Sequence, residues 1–273
     1  MNKAKIKTVS ILGCGWFGKP LAQKLLESGL SVKGSTTNPE KLDDLQQMGI
    51  QAYLIDIAAD DTAIDIDFFN TDILLINIPP RRNTSEQHSF MQKIEQISQL
   101  AVQQQIKQVL FISSTSVYGD HNIEVDESSA PDPDAASGAI LLNAENYLKA
   151  QNQFHSTVIR FGGLIGPGRD PGRFLAGKTG IANGLAPVNL IHLTDCIEIV
   201  SKIILQDAFG YTFNATAPDH PTRQTFYTQA AKKSGLPEPQ FISECRQWKI
   251  VNSTQVARLL NYSFQRPNWE DWI

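Results

Sequence analysis

Short apolar runs alternate along this chain with longer stretches whose apolar residues return at helical spacing. Residues 8–13 (TVSILG) predict a strand. Residues 18–29 (GKPLAQKLLESG) predict a helix, with Leu21, Leu25 and Leu26 on one face and Gly29 as its stop. The alternation continues with a strand at 31–36, a helix opened by Asn38-Pro39, and a strand at 51–57. The run 72–78 (DILLINI) suits a strand buried on both faces, and a long helix over 85–105 and a strand at 108–114 follow it. Another helix opens at 137–146 (SGAILLNAEN), and 156–163 (STVIRFGG) is the sixth strand. Strands joined in this way need right-handed crossovers, which lay them parallel with helices on both faces. The predicted fold class is α/β, a doubly wound parallel sheet.

Beyond Gly163 the rhythm breaks. Residues 164–180 are rich in Gly and Pro and predict loop. Residues 189–192 (NLIH) and 193–206 predict a strand and a capped helix returning to the main sheet. From 211 onward the pieces are short: a strand at 211–217, a helix at 222–234, and brief elements to the end. The expected organisation is a nucleotide-binding domain over 1–163, completed by 186–210. Residues 164–185 and 211–273 would form a small α/β cap that holds the substrate.

A net charge of −4 argues against nucleic acid or an anionic membrane surface as partner. No apolar run approaches the roughly 20 residues that span a bilayer. The start, MNKAKIKTVSILGCGWFG, places lysines before an apolar stretch as a secretion signal does, but that stretch is short, β-branched and broken by glycines. It reads as a first buried strand. The three cysteines, Cys14, Cys196 and Cys245, are scattered without a CxxC pair, which fits reduced thiols in the cytoplasm. The five histidines have no metal-binding spacing, so no metal is expected.

Gly13-Cys14-Gly15-Trp16-Phe17-Gly18 is G-x-G-x-x-G placed between a strand and a helix. Gly13 makes the tight turn, Gly15 lets a pyrophosphate approach the backbone, and Gly18 lets helix and strand pack closely. The helix N-terminus then offers free N–H groups to the phosphate, and Trp16 and Phe17 roof the loop. This is the dinucleotide fingerprint of a Rossmann fold. The acid expected about 20 residues on, which would hold the ribose 2′-OH of NAD, is missing. Thr36, Thr37 and Asn38, with Lys41 beyond, stand there instead. Neutral hydroxyls and an amide favour the 2′-phosphate of NADP over NAD. The same residues also suit simple capping of the next helix.

Phe111-Ile112-Ser113-Ser114-Thr115-Ser116-Val117-Tyr118-Gly119 resembles the active-site strand of the short-chain dehydrogenase/reductase superfamily, in its extended epimerase/dehydratase branch. Asp56-Ile57, 160–169 (RFGGLIGPGR) and 189–195 (NLIHLTD) match other segments of that branch, in order along nearly the whole chain. The resemblance implies that Asp56 contacts the adenine, with Ile57 beside it, and that Phe161, Gly162 and Gly163 lie by the nicotinamide. Ser114 would polarise the substrate oxygen. The branch's proton chemistry rests on a Tyr and, one helical turn on, a Lys that lowers its pKa. Counting back from Glu145 puts Ser137 at the Tyr position and Leu141 at the Lys position. This chain is therefore read as an atypical member that lacks the dyad.

Ser114 remains as the catalytic candidate, with Tyr118 behind it. His192 has an imidazole suited to proton transfer or substrate contact. With Asp195 it also reads as a structural pair that fixes a strand-to-helix turn. Arg81, like Arg82, follows the end of the fourth strand, where ligands gather in such sheets. Arg169 and Arg173 match the region where extended members grip an acidic substrate. The implied function is that of an NADP-dependent oxidoreductase or epimerase-like enzyme on a small polar substrate with a non-standard proton donor. The alternative is a non-catalytic NADP(H) sensor or scaffold. The resemblance also implies a homodimer through the helix containing Ile140, Leu141, Ala144 and Leu148, although any helix lying on a sheet carries such a stripe.

Overall fold

A computed structural model of the protein describes residues 7–57, 64–80 and 85–273. In chain order the elements are β1 (Thr8–Leu12), α1 (Gly18–Glu27), β2 (Ser31–Thr36), α2 (Leu42–Gln47), β3 (Gln51–Leu54) and β4 (Ile73–Ile76). Then come α3 (Ser85–Gln103), β5 (Gln108–Ser114), β6 (Ile123–Val125), α4 (Ala136–Lys149), β7 (His155–Phe161) and β8 (Gly163–Ile165). The last are β9 (Leu190–His192), α5 (Leu193–Leu205), β10 (Thr212–Ala215), α6 (Arg223–Lys233), β11 (Lys249–Val251) and α7 (Thr254–Leu260). The main sheet has seven strands in the order β10-β7-β5-β4-β1-β2-β3. Pairing is parallel, with Val9 opposite both Val32 and Ile73, and Ile76 opposite Phe111. All four residues of β4 are fully buried, as a strand covered on both faces requires.

One expectation is corrected. The strand at Leu190–His192 does not return to the main sheet; it pairs in parallel with β8 in a separate two-stranded sheet. The seventh strand of the main sheet is β10, from the segment expected to lie in the cap. The two runs are alike in length and apolarity, so the pattern alone does not choose between them.

The chain divides into two compact units. One comprises the chain up to Ser113 with Ala139–Ile159 and Val200–Tyr211; the other comprises Ser114–Gly138, Arg160–Ile199 and Thr212–Ile273. In the first, Lys33 on β2 is buried. Its ammonium donates to Asp67 Oδ2 at 3.0 Å and to the carbonyls of Asp67 and Asn70 at 2.5 and 3.1 Å. Tyr53 donates to the same Asp67 carboxylate, so one turn is latched to two strands. In the second unit, Phe226, Trp272, Ile165 and Leu190 form an apolar core, and β11 pairs in parallel with β6.

Candidate functional site

In the first unit, the glycine loop is built by different demands on each glycine. Gly13 has φ +95°, and a Cβ there would lie 2.7 Å from the Asn77 carbonyl oxygen. A Cβ on Gly18 would lie 2.8 Å from the Gly13 carbonyl oxygen and 3.2 Å from Ile11 Cγ2. Both positions are closed to any side chain by the protein itself. Gly15 differs: it is exposed, and a Cβ there would meet nothing within 4 Å. Its openness fits a loop that lets an outside group reach the backbone. The loop is held by Ser35, whose hydroxyl accepts from the Gly13 N–H at 2.9 Å, and by Asn77, whose amide donates to the Gly13 carbonyl at 2.8 Å. The sequence reading did not single out Asn77; its signal is an amide closing an otherwise apolar strand.

The N-cap residue of α1, Phe17, makes no side-chain cap, and the first turn of the helix carries no acid, so a phosphate suits that end. Trp16 is half-buried, while the Phe17 ring is buried in the core. Burial pushes the Cys14 thiol up to about 12, against a smaller pull from Lys19, which favours the protonated thiol at neutral pH. At the end of β2, the Thr36 hydroxyl accepts from the Asn38 N–H at 3.1 Å, and Asn38 Oδ1 accepts from the Glu40 N–H at 3.0 Å. Two of the three residues there thus serve their own turn, while Thr37 is exposed. Past β3, Asp56 is exposed and Ile57 buried.

Ser113 is buried at the end of β5 and donates to Glu145 Oε1 at 2.6 Å; Lys149 Nζ stands 3.7 Å from the other carboxylate oxygen. This pins the body of α4 to the strand. Leu141 is buried.

In the second unit, Ser114 is half-buried and opens a single 3₁₀ turn, where its Oγ accepts from the Ser116 N–H at 3.1 Å. Among the described residues its own proton meets no acceptor and is left to donate. Tyr118 is only 1% exposed. Its oxygen accepts from Arg160 Nη1 at 2.6 Å and donates to the Asp126 carbonyl at 2.9 Å, with Asn214 Oδ1 3.2 Å away. Burial raises its pKa despite the Arg160 charge. Tyr118 is thus committed to the interior, as a residue that fixes the turn after Ser114.

The N-terminus of α4 carries Ser137, which is exposed, and Gly138, where a Cβ would lie 2.1 Å from the Ser116 carbonyl oxygen. Gly138 was missed by the sequence reading. The helix start seats on the Ser114 turn only because that side chain is absent.

Where β7 gives way to β8, Phe161 is buried, and the glycines are again steric. A Cβ on Gly162 would lie 2.8 Å from the Asn189 carbonyl oxygen, and one on Gly163 would lie 2.6 Å from Leu190 Cδ2. Arg169 is exposed in a turn closed onto the Gly166 carbonyl. His192 does not pair with Asp195. Its Nδ1 accepts from the Thr194 N–H at 3.2 Å, beside the Thr194 hydroxyl. Burial, then the Arg266 charge, lowers its pKa, and Asp195 opposes them. Asp195 is fully buried and accepts instead from the Tyr262 hydroxyl at 2.5 Å and from the Gln265 and Arg266 N–H groups. Its partners lie some 70 residues away, which local spacing does not reveal. Arg81, with Arg82, falls outside the described residues.

Residues 13–184 match the profile of a family described as NAD(P)H-binding. The chain is 34% identical over 269 residues to protein YeeZ of Escherichia coli K12, covering 96% of this chain and 97% of that one. Among solved structures, a functionally unknown conserved protein from Silicibacter pomeroyi superposes with a TM-score of 0.78 at 23% identity, over 97% of this chain and 96% of that one. A UDP-glucuronic acid 4-epimerase from Bacillus cereus, in complex with NAD, superposes with a TM-score of 0.77 at 17% identity, over 97% and 95%. These structures share the fold. By the match over residues 13–184, the chain belongs to the NAD(P)H-binding family.

Proposed function

We propose that the protein is an NADP-preferring oxidoreductase or epimerase-like enzyme acting on a small polar substrate, with Ser114 as the group that polarises the substrate oxygen. The observation that carries this reading is the Ser114 hydroxyl, which accepts from the Ser116 N–H and keeps its own proton to donate. When bound, the nicotinamide supplies or takes the hydride. The residues of this chain would grip the pyrophosphate at Gly15 and the start of α1, with the loop held by Ser35 and Asn77. Ser114 would donate to the reacting oxygen, and water would carry the proton. Loss of a general acid–base pair costs about 10²–10⁴ in rate, so slow turnover is expected. The preference for NADP rests on Thr36, Thr37 and Asn38, where no carboxylate faces a 2′-phosphate.

A second reading, a sensor or scaffold that binds NADP(H) without turning it over, is favoured by the buried Leu141 and by the committed Tyr118 hydroxyl. NADPH oxidation against a panel of aldehydes, ketones and nucleotide sugars separates the two. Turnover abolished by Ser114→Ala, with cofactor affinity kept, supports the enzyme. Tight cofactor binding with no turnover on any substrate supports the sensor.

A further inference from the structure

Within the second unit lies a cavity of about 390 Å³ whose polar wall is made by Asp170, His192, Lys233 and Ser234, with Gly166 and Trp272 among its apolar lining. Because His192 Nδ1 accepts from the Thr194 backbone N–H, the proton of the neutral ring sits on Nε2. Among the described residues that Nε2–H has no partner. A Cβ on Gly166 would stand 3.3 Å from it, so the glycine leaves open the space in front of the donor. The Lys233 ammonium donates to the Ile273 carbonyl and has two further N–H groups. Asp170, by contrast, is largely satisfied. It accepts from the Gly172 N–H at 2.8 Å, and the Ser234 hydroxyl is 3.0 and 2.9 Å from its two oxygens. Arg173 Nε lies 3.7 Å away.

We infer that this cavity is a binding site for a small monocarboxylate that also carries a hydroxyl. Two unfilled N–H donors, one of them cationic, match the two oxygens of a carboxylate. Asp170 sets the limit: its carboxylate accepts a ligand hydroxyl but repels a phosphate dianion, for which the wall offers too few donors. This assignment uses no residue of the glycine loop and stands apart from the dinucleotide reading.

The test is calorimetry on the whole chain without dinucleotide, titrating L-lactate and D-gluconate, with glycerol and inorganic phosphate as comparisons. Both acids are expected to bind in the millimolar range, and glycerol and phosphate at least tenfold more weakly. Each lost charge-assisted bond costs about tenfold. Lys233→Met and His192→Leu should therefore each weaken gluconate by about that factor, while His192→Gln, which keeps an N–H donor, restores most of it. Thermal melts identify any variant that fails to fold, and the histidine pair keeps the test decisive if Lys233→Met is one. The assignment is overturned if phosphate or glycerol binds as well as the acids, if neither acid binds, or if His192→Leu leaves affinity unchanged. NADPH titrated into the same preparations is read separately, so failure of either reading is distinguishable from failure of the other.

Discussion

The buried Arg160 guanidinium donates to the Tyr118 hydroxyl at 2.6 Å and also lies over the Tyr118 ring, 5.0 Å from its centroid. A phenol held in this way is architecture. Tyr118→Phe removes one acceptor of a buried guanidinium and is expected to lower stability by about 2 kcal/mol. NADPH affinity should stay within twofold of the parent, since the glycine loop is untouched. Denaturant melts and a cofactor titration check both; a large loss of affinity at unchanged stability contradicts this placement.

Gly13 and Gly15 should separate folding from binding. Gly13→Ala forces a side chain to adopt φ +95° against the Asn77 carbonyl and is expected to cost about 1–3 kcal/mol of stability. Gly15→Ala meets no protein atom within 4 Å, so its melting temperature should not move, while dinucleotide affinity falls about tenfold or more. Equal damage to stability by both would sink the distinction.

At the end of β2, Thr36→Asp keeps an acceptor for the Asn38 N–H while adding a charge. NADPH should weaken and NADH strengthen, reversing their order in calorimetry. If both cofactors bind the parent equally, the 2′-phosphate is not read at this loop.

The latch around Asp67 predicts an acid limb in stability. Hydrogen bonds from Tyr53, then Lys33 and its charge, hold the Asp67 carboxyl below its usual range. The folded state then binds this proton less readily than the unfolded chain, so the contribution is present above about pH 4 and is lost as pH falls through the lowered pKa. Burial and the same carboxylate push Tyr53 up to about 12, so its contribution is lost as pH rises from about 10 towards that value. Asp67→Asn should flatten the acid limb of a melting-temperature profile, and an unchanged limb would count against the latch.

Features set by local sterics were legible in the sequence. Gly13 and Gly18 sit where strand turns into helix; the positive φ of Gly13 belongs to its own turn, and a Cβ on Gly18 would meet Gly13 and Ile11, so both demands can be read within a few residues. The alternation of strands and helices gave the parallel sheet for the same reason. Gly138 was not legible, because its requirement comes from the Ser116 carbonyl on a turn more than twenty residues earlier. Asp195 misled in the same way: His192 is near in sequence, yet Tyr262 and Gln265 take the carboxylate. Where a partner is distant, residue type says that a bond is needed but not with whom.

The pairing of β6 with β11 joins Ile123 to Lys249, 126 residues further along the chain. During synthesis at about 5–20 residues per second, the earlier strand waits about 6–25 seconds for its neighbour to be made. Over that interval its edge is open to other chains, and the exposed Glu124 at its middle supplies the charge that discourages them.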